Sequence, residues 1–146
     1  MKVWFIPLDP KQHRFRVERD KGELIDVALE TRSLLLHDLA HYAVEATGGL
    51  ANGFYGLLAA GTSLAALREP GGLARDVFDA LMVIERRVAM TQSAFKKRGP
   101  GEDDASRGLR QLWGAWSKTR HGCALRLDWP ALAPEVMDFV PPASRS

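Results

Sequence analysis

Cysteine is almost missing from this chain: Cys123 is the only one in 146 residues. An intrachain disulfide is excluded, as is a cysteine-rich zinc module, and a lone thiol fits a reducing, cytoplasmic setting. An excess of either charge is missing too. Twenty Lys and Arg against 18 Asp and Glu leave a net +2, with the arginines scattered, so no nucleic-acid partner is expected. Long apolar runs are also absent. The stretch before Asp9 is too short for a signal peptide. The uncharged segment 46–67 is diluted by five glycines, well below the ~20 mostly apolar residues of a spanning helix, so no membrane partner is expected either. Neither Gly48-Gly49 nor Gly71-Gly72 is followed by Gly-Lys-Ser/Thr, and there is no Gly-x-Ser-x-Gly, which removes phosphate-loop and serine-hydrolase signatures.

What remains is an ordinary globular composition, 46% apolar and 26% charged, enough for one domain with a proper core. The first thirty residues read as strands. Residues 3–8 are rich in β-branched and aromatic types and precede the turn Asp9-Pro10-Lys11-Gln12. Residues 14–18 and 25–29 alternate with period two around a turn at Asp20-Lys21-Gly22. A three-stranded antiparallel meander with one wet face is predicted, Arg14, Arg16 and Glu18 lying on that face as solvated side chains.

The period then becomes 3.6. One helix begins near Thr31 or Ser33, either able to cap it, and stops at Gly48-Gly49. A second is predicted over 52–67, with Phe54, Leu57, Leu58, Gly61 and Ala65 on one face and Gly56 and Ala60 admitting a close neighbour. A third spans 73–97, striped by Val77, Leu81, Ile84, Val88, Thr91 and Phe95. After a loop at 99–104, acids suit the start of a fourth helix at 105–118, where Trp113 and Trp116 share the apolar face of Leu109 and Leu112. Residues 122–128 read as a closing strand with Cys123, Leu125 and Leu127 on one side. From Trp129 a surface tail is expected, fraying over 141–146. Strands over 1–30, helices over 31–120 and one returning strand describe a single α+β domain covering 1–146.

The chemistry concentrates in the first helix. At ~100° per residue, His37, Asp38, His41 and Glu45 fall within an arc of roughly 100°, opposite Leu36, Leu39, Ala40, Ala43 and Val44. His37 and His41 are one turn apart and can converge on one divalent ion such as Zn, Fe or Mn. Asp38 can serve as ligand or as catalytic base. Glu45, ~12 Å along the axis from His37, can orient His41 from behind or serve a separate ion. The i, i+4 histidines match the zincin helix, but Asp38 replaces its glutamate and is one methylene too short for that peptidase role.

Leu35-Leu36-His37-Asp38-Leu39-Ala40-His41 resembles the central motif of HD-type metal phosphohydrolases. That resemblance implies His37 and Asp38 as metal ligands, with further ligands from an earlier histidine and a later aspartate, here His13 and Asp79. His-Asp-x-x-His is also similar to the motif of helical coenzyme Q biosynthesis proteins, which carry a glutamate where this chain has Gly53. Taken whole, the chain resembles uncharacterised bacterial proteins of its length, which implies no activity.

Three readings of this face compete. It is a metal site, that of a metal-dependent hydrolase acting through an activated water. It is a metal-free acid/base pair of Asp38 and His41. Or it is a wet face of a non-enzymatic binding or scaffold module, open to a partner; a homodimer is a separate expectation. A site requires Asp79, Glu85, His13 or His121 to converge on the histidines; an open module leaves them uncovered.

Overall fold

The computed structural model describes residues 1–97 and 103–139. Strands β1 (Lys2–Pro7), β2 (Gln12–Glu18) and β3 (Leu24–Glu30) form the predicted meander, and β4 (Cys123–Asp128) returns to pair with the free side of β1. The fold is α+β. All pairings are antiparallel, in the order β3-β2-β1-β4-β5. Alternation works as the period-two pattern requires: Val3, Phe5, Phe15, Val17, Leu125 and Leu127 are fully buried on one face. On the other, Arg14 Nε lies 2.6 Å from Asp26 and an Arg16 guanidinium nitrogen 3.4 Å from the same carboxyl. Arg16 also lies over the Trp4 ring at 5.6 Å. These arginines are spent on a neighbouring strand and a ring.

The segment after Trp129 corrects the expectation of a surface tail. Glu135–Asp138 is β5, paired with β4 in the register Arg126↔Glu135 to Cys123↔Asp138. Four residues behind Pro134 are too short for their alternation to stand out. Nor does Trp129 lie loose, since its ring sits 5.2 Å from Tyr42 and 5.6 Å from Tyr55, and Tyr42 Oη donates to Ala131 O at 2.6 Å. Residues 141–146 lie outside the described residues.

A π-helical turn (Thr31–Leu35) leads directly into α1 (Leu36–Gly48), which ends at Gly49 with φ +62°. Thr31 and Ser33 do not cap it. The Thr31 hydroxyl instead meets His13 Nδ1 at 3.1 Å. The expected second helix is two: α2 (Phe54–Ala59) and α3 (Leu64–Arg68). Gly61, placed by its spacing on an apolar stripe, takes φ +107° and ends α2, and Ser63 then caps α3 by accepting from Ala66 N. α4 (Arg75–Lys96) buries Leu81, Ile84, Val88 and Thr91. α5 (Asp104–Ser117) starts at Asp103, whose carboxylate accepts from Ser106 N at 2.8 Å. α1 is the centre of the helical layer, packing on both α4 and α5. Gly108 of α5 faces Ala43 and Thr47 of α1, and a Cβ there would crowd the Leu132 side chain at 2.9 Å. Among the described residues no helix is long and apolar enough to cross a membrane.

His13 is fully buried on β2, and among the described residues its Nε2 has no hydrogen-bond partner. Burial, with help from the Arg68 charge, lowers its pKa from 6.5 to about 4. Its proton is therefore bound more tightly by the unfolded chain. Stability is complete above about pH 6.5 and falls as the pH drops toward 4, by about 2 kcal/mol from pH 7 to pH 5. Urea unfolding across that range should show a shallower loss in His13→Leu; an identical loss contradicts this role.

Candidate metal centre

The polar face of α1 is not wet. Asp38 is 3% exposed, His41 2% and Glu45 0%, with α2 and α4 packed against the helix.

Glu45 shows how the sequence builds this. Its Oε1 accepts from Tyr55 N at 2.9 Å and Gly56 N at 3.4 Å; its Oε2 accepts from Phe54 N and from His41 Nδ1, both at 2.9 Å. One buried carboxylate thus satisfies the free amides that begin α2 and fixes the His41 ring. Glycine makes room for it. A Cβ on Gly53 would lie 2.3 Å from Glu45 Cδ, and one on Gly56 would lie 2.2 Å from Ala51 O. The neighbour admitted by Gly56 is therefore the preceding loop. Gly53→Ala should cost about 3 kcal/mol in urea unfolding by driving the carboxylate from its amides; a neutral effect contradicts this packing.

The fourth group comes from α4. Glu85 Oε1 lies 2.8 Å from His41 Nε2, and its Oε2 lies 3.5 Å from His37 Nε2. On the far side of the other ring, His37 Nδ1 meets Gln92 Oε1 at 3.2 Å. Each imidazole therefore has Nδ1 held by an oxygen acceptor, Glu45 or Gln92, and Nε2 turned to Glu85. The rings stand nearly perpendicular with centroids 4.8 Å apart. Burial alone would lower the His41 pKa, but its hydrogen bonds to Glu45 and Glu85 outweigh this and raise it to about 9. Burial likewise opposes ionisation of Glu85, yet the His41 hydrogen bond and the two imidazole charges hold its pKa below the ordinary value.

His37, His41 and Glu85 each offer an atom within 4.8 Å of the others, a group that could hold a metal ion. Ligands sharing one tetrahedral ion at ~2.1 Å stand roughly 3.4 Å apart, so modest side-chain movement closes the triangle. Neither Asp38 nor Glu45 is in that group. The Asp38 carboxyl lies 3.5 Å from an Arg68 nitrogen, burial raises its pKa against the Arg68 and histidine charges, and its backbone carbonyl accepts from Tyr55 Oη. Of the four residues expected to complete a site, Glu85 alone arrives. Asp79 pairs with Arg75, His13 belongs to the sheet, and His121 is exposed.

No family model, curated protein or solved structure matches this chain.

Sequence reasoning missed Gln92. Glu85 and Gln92 are seven residues apart on α4, one position beyond the buried Ile84 and Thr91. Two uncapped polar side chains bordering an apolar stripe at heptad spacing were the available signal.

Proposed function

We propose that this chain binds one divalent cation through His37 Nε2, His41 Nε2 and Glu85, and uses it to activate water for hydrolysis. The observation that supports this is the orientation of the two imidazoles: acceptors on both Nδ1 atoms leave both Nε2 atoms for a shared ion, as metal-bound histidines require. Two imidazoles and a carboxylate suit Zn, Fe(II) or Mn and leave positions open for water or substrate. His37 and Glu85 are 35% and 31% exposed, so the open side faces solvent while His41 and Glu45 anchor the buried side. Bound there, the metal would supply an acidified water and polarise the bond attacked.

In this reading Glu85 fills the place that the HD-type resemblance gives to Asp38, which is turned to Arg68. Zinc-loaded protein should hydrolyse at least one member of a panel of activated carboxyl and phosphate esters, and Glu85→Ala should abolish the turnover. Turnover that survives in Glu85→Ala, or none from fully loaded protein with either ester class, contradicts hydrolysis at this site.

A further inference from the structure

Arg68, the last residue of α3, approaches the same face of α1 from the side opposite Glu85. Helix geometry sets this arrangement: around α1, His41 lies between His37, toward α4, and Asp38, toward α3. Arg68 reaches in as far as the Asp38 carboxyl and lies over the Phe54 ring, its Cζ 5.5 Å from the ring centroid. The His41 ring lies 5.8 Å from that same centroid. Arg68 thus contacts Asp38, the residue beside His37 in the chain, and shares the Phe54 ring as a neighbour with His41.

Among the described residues, its anchorage leaves donors unused. A guanidinium has five N–H groups in a rigid fork, and the carboxyl contact of Arg68 is a single one at 3.5 Å with the side chain 30% exposed. His37, Glu85 and Arg68 are each about a third exposed, whereas Asp38 and His41, which they contact, are buried. Asp38 neutralises part of the charge and sets the position, while Phe54 supports the plane of the fork.

We infer that Arg68 is an oxyanion-recognition residue, and that the substrate carries a carboxylate or phosphate close to the bond presented to the metal. This inference rests on the metal-site reading. Arg68 is a specificity determinant in it, binding the anion through charge-assisted hydrogen bonds beside the ion.

Cobalt(II) is the probe, because its visible spectrum reports both its own uptake and anions entering its surroundings. Wild type, Arg68→Met and the double variant Arg68→Met/Asp38→Asn are loaded with cobalt, then titrated with inorganic phosphate and, separately, acetate. The double variant removes the buried carboxylate that Arg68→Met leaves unpaired, so one of the two variants folds even if that charge is not tolerated. All loaded proteins should take up one equivalent of cobalt, and at least one anion should bind wild type tenfold or more tightly than the variants. The anion that shows the difference identifies the substrate group. Equal affinities in wild type and variants overturn the role of Arg68 while leaving the metal site intact. Failure of wild type to take up cobalt overturns the metal reading and this inference with it.

Discussion

Glu45→Ala is expected to be the most destabilising single substitution on α1, costing about 3–5 kcal/mol in urea unfolding at neutral pH. Three backbone amides of α2 and His41 Nδ1 lose their acceptor together, and each buried donor left unpaired costs about 1–3 kcal/mol before relaxation. Loss should be local as well as global, with α2 fraying first, since nothing else among the described residues accepts from Phe54 N and Tyr55 N in their present position. Glu45→Gln separates charge from shape. Its amide keeps the volume but turns a donor toward donors, so it should recover only part of the loss. A cost below about 1 kcal/mol for Glu45→Ala would mean that water replaces the carboxylate freely, and Glu45 would not be the clasp described here.

The second large effect concerns the metal. Zinc affinity, measured by competition with a chromophoric chelator, should fall roughly 100-fold or more in His37→Ala, His41→Ala and Glu85→Ala. It should change by no more than about threefold in Asp38→Asn, because Asp38 supplies no ligand atom to the group. The contrast between Glu85 and Asp38 is what separates the folded geometry from the local motif. A motif-centred site would give the reverse order. Affinity lost in Asp38→Asn and kept in Glu85→Ala would return the site to the His-Asp pair.

Much of this was legible in the sequence for reasons of scale. Period two and period 3.6 are local signals, so the meander, α1, α4 and α5 could be placed from their apolar positions alone. The i, i+4 histidines were visible because one helix turn brings them together. The break between α2 and α3 was hidden because Gly61 occupies a helically spaced position, and only its positive φ ends the helix. Strand β5 was hidden because four residues carry too little alternation. The Glu45 clasp depends on a glycine eight residues further along: Gly53 looks like simple flexibility until the carboxylate is seen in the space its missing side chain leaves. Glu85 is 44 positions from His41 in the chain, and no local pattern can specify such a pairing. It could be named only as one of four residues able to complete the site, with tertiary packing making the selection.

The most direct test is the metal content of untagged wild-type protein by inductively coupled plasma mass spectrometry, after purification without chelators and again after incubation with zinc, iron(II) or manganese. The account predicts close to one equivalent of a divalent metal per chain, resistant to gel filtration. A protein that holds no metal on isolation and takes up none when it is offered would contradict it. Glu45, His41 and Glu85 would then be an ion triad, buried at Glu45 and His41, that secures α2 and α4 to α1, with a structural role and no chemistry.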